Sequence, residues 1–293
     1  MTGLLVVGDV VTDVVARHAA PLAAGTDTAA TIRILPGGAG SNVACWAVDR
    51  GCHDVRLLAR AGAADLDWHA ARLRAAGVRP LLVPDDEVPT ATVVALVDAT
   101  AERTFLTDSG AVLRLCPDDW SASLLDGVGH LHLSGYLLFS ETSRAAALLA
   151  KDAARNRGIP VSVDPASAGF IRELGVRRML SALEGVDVLL PNADEARLMT
   201  GLPDPADAAA KLSHSVPLTV VTLGPRGALV AESGRVTARV EPSSAEALDT
   251  TGAGDAFTGA FLAARLAGAD IRSAAEEGCR AGTEAVSRLG GRP

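Results

Sequence analysis

The sequence predicts an α/β fold in which a mostly parallel central sheet is flanked by helices and carries a small β-sheet lid. Three observations support that prediction. Short β-branched runs alternate with alanine-rich segments of helical periodicity, as strand–helix–strand units do. The helical segments stop at glycines, which accept the left-handed conformation that ends a helix. Two regions break this rhythm by alternating polar and apolar residues, the pattern of strands with one wet face.

The elements follow in order. The opening stretch MTGLLVVGDVVTDVV reads as a first buried strand over 4–8, with Asp13 at its end. Asp9 and Asp13 interrupt its apolar run and no basic segment precedes it, so it does not read as a signal peptide. Further central strands are expected at 55–60, 130–134, 161–164, 187–190 and 218–223. Helices at 41–50, 66–76 and 143–157 end before Gly51, Gly77 and Gly158, and two long helices are expected at 254–267 and 271–288. The alternating regions are 28–35 and the pair 90–97 and 102–107, which reads as a hairpin. They are too polar for the central sheet. Lid segments are therefore placed at 12–35 and 89–110, inserted into one catalytic domain spanning 1–293.

Composition bounds the function. A 293-residue chain that is 48% hydrophobic can bury the core of a large α/β domain. The net charge of −8 and the lack of any Lys/Arg run argue against nucleic acid and for a small soluble ligand. Lys151 and Lys211 are the only lysines. Cys45, Cys52, Cys116 and Cys279 form no CxxC pair, so no disulfide framework is expected. No apolar run approaches the ~20 residues of a membrane span, and a cytoplasmic protein is expected. An exposed lid edge leaves a homodimer through the lid open.

The stretch DTTGAGDAFTGAF, Asp249 to Phe261, joins a glycine bend to a helix. A helix N-terminus carries unpaired N–H groups and about half a positive charge. Gly252, Ala253 and Gly254 let those donors come close to a phosphoryl group. An acid beside such a cradle, Asp255, makes sense if the acceptor is an alcohol. Its carboxylate takes the hydroxyl proton while the N–H groups stabilise the phosphoryl group in transfer. For an isolated GxGD a plainer account would suffice, with Thr250 and Thr251 as caps and Asp255 as a dipole partner. His130 and His132 share a strand face and read more simply as buried histidines than as a metal pair. Cys279 reads as a packed free thiol. There is no GxxxxGK[ST] loop, and PGGAGSNVA is not GxGxxG.

Four motifs, in order, resemble the ribokinase-like carbohydrate kinases, also called the PfkB family. They are PGGAGSNVACWAVDRG (36–51), LLPNADEARLMTG (189–201), VVTLGPRGALV (220–230) and DTTGAGDAFTGAF. The resemblance covers nearly the whole chain and implies roles. Asp255 would be the catalytic base, with Gly252, Ala253 and Gly254 as the anion hole. Asn192 and Glu195 would serve the phosphate–Mg²⁺ region, the metal being held largely through water. Thr222, Gly224 and Gly227 would line the ATP, and Asp13, Gly37, Gly38 and Asn42 would bind the sugar. Asp249 and Thr251 match positions that hold K⁺ in part of the family, completed by carbonyls around 286–291.

Departures from the family pattern bear on the acceptor. Ala39 stands where ribokinases and sugar-phosphate kinases commonly carry Lys, which argues against a phosphorylated acceptor. Gly135 or Tyr136 replaces the acid that ribokinases place near the end of the middle strand, which argues against ribose. A keto-acid sugar would want Arg33 or Arg103 from the lid. A nucleoside would want an aromatic wall, for which Phe105 and Tyr136 are the candidates in a chain with 3% aromatics. Trp46 reads as core. The expected activity is ATP-dependent phosphorylation of a hydroxymethyl group on an uncharged sugar. A nucleoside of adenosine, inosine or pseudouridine type is the second choice, and a catalytically silent sensor on the same fold is the rival.

Overall fold

Strand β1 (Gly3–Val7) is buried along its whole length, so it reads as a continuous apolar run and not as an alternation. Leu4 and Val6 pack on one face of it, Leu5 and Val7 on the other. The computed structural model describes residues 2–100, 103–242 and 248–293. After β1 come β2 (Val11–His18), β3 (Ala30–Gly37), α1 (Ala39–Asp49), β4 (Val55–Gly62), α2 (Leu66–Ala75) and β5 (Arg79–Asp85). Then follow β6 (Ala91–Val97), β7 (Arg103–Asp108), β8 (Val128–Ser134), α3 (Glu141–Asn156) and β9 (Val161–Asp164). Short helices α4 (Ala168–Leu174) and α5 (Val176–Ala182) lead to β10 (Val188–Leu189), α6 (Ala193–Thr200), α7 (Pro205–Leu212) and β11 (Leu218–Thr222). Strands β12 (Ala228–Glu232) and β13 (Arg235–Val240) precede α8 (Ala253–Leu266) and α9 (Ile271–Ala285).

The central sheet runs β13-β12-β11-β10-β9-β8-β1-β4-β5. Its pairings are parallel from β11 to β5, while β12 and β13 close one edge antiparallel. Helices α3, α5, α6 and α7 contribute to the core on one face, and α1, α2, α8 and α9 to that on the other. Because the strands are parallel, their carboxyl ends share one edge, where open α/β sheets form their ligand crevice. Among the described residues no helix is long and apolar enough to cross a membrane. All four cysteines are free thiols.

The lid is a separate four-stranded sheet, β3-β2-β6-β7. Its β6–β7 pair is antiparallel, with Val93 opposite Thr107 and Ala95 opposite Phe105. Val11, Asp13, Val15, Leu35, Val93, Ala95 and Phe105 line the cavity beneath the lid. The opposite face exposes Ile32, Ile34 and Leu106.

The opening stretch is not one strand, contrary to the sequence-based expectation. It breaks after Val7, where the chain crosses α1 so closely that a Cβ on Gly8 would lie 2.8 Å from Gly40 Cα. Asp13 is consequently not at the end of β1. It is the third residue of lid strand β2, opposite Leu35 and Val93. The acid that follows β1 is Asp9. Strand β5 was also not expected; it carries Pro80 and Pro84, which an edge strand tolerates. Helices α4 to α7 have seven or eight residues each, too few for periodicity to announce them.

Asp85, closing β5, fastens the root of the lid. It accepts from the Glu87 and Val88 N–H groups at 3.0 Å and pairs with Arg60 and Arg114 at 2.8 Å. Arg60 comes from β4 and Arg114 from beyond β7. One buried carboxylate thus holds the chain where it enters the β6–β7 hairpin and where it leaves.

Candidate active site

Polar residues end the parallel strands at their shared edge: Asp9 beyond β1, Ser134 closing β8, Asp164 closing β9, Asn192 beyond β10 and Thr222 closing β11. Asp9, Asp164, Asn192 and Thr222 line a cavity of about 860 Å³ that reaches up to the lid. The N-terminal turns of α1, α6 and α8 open into the same cavity, and the chain treats the three differently.

The N-terminus of α1 is filled by Asp9. Its Oδ2 accepts from the Ala39 N–H at 2.7 Å and its Oδ1 from the Gly40 N–H at 3.0 Å, with the Ser134 hydroxyl donating at 2.7 Å. Burial raises the Asp9 pKa, and these donors oppose the rise. With a carboxylate already seated there, the glycine segment is no phosphate cradle. It presents Gly38, with φ at 99°, and Asn42 to the cavity, while Gly37 stands behind Asp13. The N-terminus of α6 is closed by a capping box. Asn192 Oδ1 accepts from the Asp194 and Glu195 N–H groups at 2.9 and 3.0 Å. Glu195 accepts in return from Asn192 N at 2.9 Å and from its Nδ2 at 2.6 Å.

Helix α8 has no side-chain cap. Gly252 takes the N-cap position with φ at 75°, and a Cβ there would run into Gly291. Gly254, in the first turn, faces open space: among the described residues nothing lies within 4 Å of where its Cβ would be. The backbone donors of this turn, at the positive end of the helix dipole, are thus left for an anion.

Asp255 lies beside them. Its Oδ2 accepts from Asn42 Nδ2 at 2.8 Å, while Oδ1 has no protein partner among the described residues. Asn42 is therefore a link from α1 to the acid and not a helix cap. Arg292 steadies it from behind, donating from Nε to Asn42 Oδ1 at 3.4 Å and from Nη2 to the Gly37 carbonyl at 3.2 Å. Burial raises the Asp255 pKa well above the ordinary carboxylate range; the Asn42 bond opposes this, and Asp164, Asp9 and Asp13 add to it.

Other carboxylates converge on the same space. Burial lifts Asp13 to about 6, eased by Arg292 and reinforced by Asp9 and Asp249. Asp164, with its Oδ1 accepting the Ala166 N–H at 2.9 Å, is also lifted to about 6 by burial. Burial and then the Asp164 charge raise Glu195 to about 8. So much negative charge around one cavity calls for a cation. Both Glu195 oxygens already accept from Asn192, which suits a Mg²⁺ that keeps its bound water. Among the described residues no three His, Cys, Asp or Glu side chains form a direct-ligand cluster.

Asp249 is tied to the far end of the chain. Its Oδ1 accepts from the Thr251 N–H at 2.8 Å and its Oδ2 from the Gly290 N–H at 3.1 Å. The Leu248 and Asp249 N–H groups donate to the Val286 carbonyl at 2.7 and 3.0 Å. The loop carrying Asp249 and Thr251 therefore meets the 286–290 backbone. Thr222 lines the cavity and bridges to Asn192. Gly224 and Gly227, with φ at 58° and 82°, shape the turn beyond it; a Cβ at 227 would collide with the Val240 carbonyl.

The remaining candidates lie elsewhere. His130 and His132 both bond the Ser162 hydroxyl, at 2.8 and 2.9 Å, within the sheet. Lys151 donates to the Glu184 carbonyl at 2.7 Å and Lys211 to that of Thr200 at 2.9 Å, so neither serves the cavity. Arg33 is exposed on β3, and the Arg103 side chain lies outside the described residues. Cys279 is buried, which raises its thiol to about 11, and Trp46 is core, donating to the Gly291 carbonyl at 2.9 Å. Sequence reasoning missed Asp9 and Asp164, although both leave the same trace, an acid just past a buried apolar run. It also missed Arg292, which leaves none.

Comparison with known proteins bears on this arrangement. A family model described as pfkB family carbohydrate kinase matches residues 1–293. Fructokinase-1 of Zea mays is 30% identical over 83% of this chain and 78% of its own length. An adenosine kinase of Schizophyllum commune is 31% identical over 58% of this chain and 54% of its own. The chain spans about half the length of several curated relatives it matches, that adenosine kinase among them. The solved ribokinase of Thermotoga maritima superposes with a TM-score of 0.84 at 25% identity, covering 99% of this chain and 95% of that one. The mostly parallel central sheet with its flanking helices and the small separate sheet are thus those of a ribokinase-like fold, and the chain belongs to the pfkB family of carbohydrate kinases.

Proposed function

We propose that the protein transfers the γ-phosphoryl group of ATP to a hydroxymethyl group of an uncharged sugar or nucleoside. One observation carries this reading: among the described residues the first turn of α8 is left without a side-chain cap and bears Asp255 with one oxygen free. The acceptor would sit under the lid, its hydroxyls against Asp13, Gly38 and Asn42 and its hydroxymethyl facing Asp255. Asp255 takes the hydroxyl proton; a carboxylate whose pKa is raised accepts it better than an ordinary one once ionised. Asn42, holding Oδ2, leaves Oδ1 for the acceptor. The backbone N–H groups of α8 stabilise charge on the phosphoryl oxygens as it develops. Asp164, Asn192 and Glu195 would hold Mg²⁺ through water, and the ion when bound neutralises phosphate charge. Thr222 would face the nucleotide. Asp249, Thr251 and the backbone near 286–291 support a K⁺ site. Closure of the lid keeps water from the phosphoryl group.

The charge of the site supports an uncharged acceptor. Asp9, Asp13 and Asp255 would repel a sugar phosphate, and neither lysine reaches the cavity. The test is ADP release over fructose, ribose, ketodeoxygluconate, adenosine, inosine, uridine and pseudouridine, with and without K⁺. Asp255→Asn is expected to lose ~10²–10⁴ in kcat while ATP binding is kept. Unchanged turnover would remove Asp255 from its role. Ligand binding without ADP release from any acceptor would favour the silent sensor.

A further inference from the structure

The chain is poor in aromatic residues yet gathers them in one place. Of its five phenylalanines and one tyrosine, Phe105, Tyr136, Phe139 and Phe170 all line the cavity. The other two, Phe257 and Phe261, stack on each other in the core. Tyr136 and Phe139 come from the 3-10 turn Gly135–Phe139 after β8, and Phe170 from α4. The Phe139 and Phe170 rings are 5.0 Å apart and 23° from parallel. Tyr136 meets them edge-on at 6.2 and 5.8 Å. All three are half-buried, so ring surface remains on the cavity side.

This wall is continuous with the catalytic end. The Tyr136 hydroxyl is kept protonated, first by burial and then by the charges of Asp9, Asp255, Asp164 and Glu195. Across from it the lid supplies Phe105 beside Val15, Val93 and Ala95, an apolar roof. The rim of the cavity carries Arg144 and Arg178 among acids, and the Leu138 carbonyl fixes the Arg144 guanidinium at 2.9 Å.

We propose that this wall is a subsite for a flat, unsaturated ring, so that the acceptor is a nucleoside and not a free sugar. The proposal rests on the kinase reading above and deepens it. A polyol pressed against ring faces and aliphatic lid residues would leave hydroxyls unpaired, which is costly in a dry site. A nucleobase has no such loss: its faces stack on the aromatic wall while its edge heteroatoms meet the polar rim. The ribose then stays with Asp13 and Asn42, its hydroxymethyl on Asp255.

The experiment measures ADP release with adenosine, inosine and uridine against ribose and fructose, for the wild type, Phe170→Leu and Phe105→Ala. The expected result is a kcat/KM for at least one nucleoside ~100-fold above either sugar, from stacking of the base on the rings. Phe105→Ala should raise KM for that nucleoside ~10-fold, with the loss on KM and not on kcat. Its melting temperature should not move, because Phe105 is 53% exposed. Phe170→Leu should act in the same direction. If the rings serve only to pack α4 against the 3-10 turn, Phe170→Leu will lower the melting temperature and leave KM alone, and the proposal fails. Preference for fructose or ribose overturns the subsite and leaves the kinase reading intact. No ADP release with any acceptor overturns the kinase reading instead. Calorimetric binding of adenosine, inosine and uridine then tests the subsite alone: binding that weakens ~10-fold in Phe105→Ala supports it, and no binding of any of the three sinks it.

Discussion

Gly254→Ala separates what a glycine does for the fold from what it does for the chemistry. Among the described residues nothing lies within 4 Å of a Cβ at 254, and the residue sits in the first turn of α8. Alanine is better than glycine inside a helix by about 1 kcal/mol, an upper bound in a first turn. The variant should therefore be as stable as the wild type or slightly more so, with a melting temperature up to ~4 °C higher for a chain of this size. The new methyl occupies the open space in front of the uncapped donors. A phosphoryl oxygen would have to displace it to reach hydrogen-bond distance, and losing one such donor typically costs ~10²–10³ in rate. A protein that melts no lower yet turns over ~100-fold more slowly is the expected outcome, read by thermal melts and ADP release. Gly252→Ala is the control: φ at 75° and a collision with Gly291 should destabilise it by about 2 kcal/mol or more. A stable and fully active Gly254→Ala would show that no phosphate rests against this turn.

Three other outcomes are expected. Asp85→Asn should lower the melting temperature by on the order of 10 °C, since breaking a buried pair costs ~3–5 kcal/mol. Burial opposes its ionisation, but four donors outweigh burial and hold its folded pKa below the usual 3.8. Its contribution is thus whole above about pH 4 and lost only below, so the deficit should be constant over about pH 5–8, and a drop under ~2 °C would show the lid root is held otherwise. Burial, with some help from nearby positive charge, lowers His130 and His132 from 6.5 to about 4 and about 3. The unfolded chain then takes up protons below pH 6.5 that the folded one refuses. The two rings thus cost the fold about 4 kcal/mol between pH 7 and 5, against the opposite pull of the raised carboxyls Asp13, Asp164 and Glu195. His132→Gln leaves those acids alone, so by urea unfolding its stability relative to the wild type should rise by about 2 kcal/mol from pH 7 to 5. Asn42→Ala deletes the bond that restrains the Asp255 pKa, so the acidic limb of kcat/KM should move to higher pH, and Arg292→Gln should move it less in the same direction. An unmoved limb in Asn42→Ala would remove it from the orienting role.

Part of this site was legible in one dimension because its demands are local. A buried parallel strand needs a continuous apolar run, and a helix stop needs a residue free of Cβ strain, so β1, β4, β8, β9 and β11 could be read directly. The bend before Asp255 could be read for the same reason: Gly252 takes a positive φ that other residues rarely adopt. Asp13 was expected at the end of the first strand and lies instead on the lid, where it lines the cavity. Asp9 and Asp13 are four residues apart and chemically alike, and only the close crossing of Gly8 on Gly40 sends one to the sheet edge and the other to the lid.

What tertiary structure decided is mostly what lies between distant residues. Asn42 meets Asp255 across 213 positions and Arg292 across 250, distances over which local propensity carries no information. Three helix N-termini open into the one cavity, yet Asp9 fills one and a capping box closes another. The same holds for four aromatic rings scattered over the chain that end in one cavity. Residue identity sets which groups are available; the packing of the sheet, helices and lid decides which of them are already satisfied and which are left facing open space.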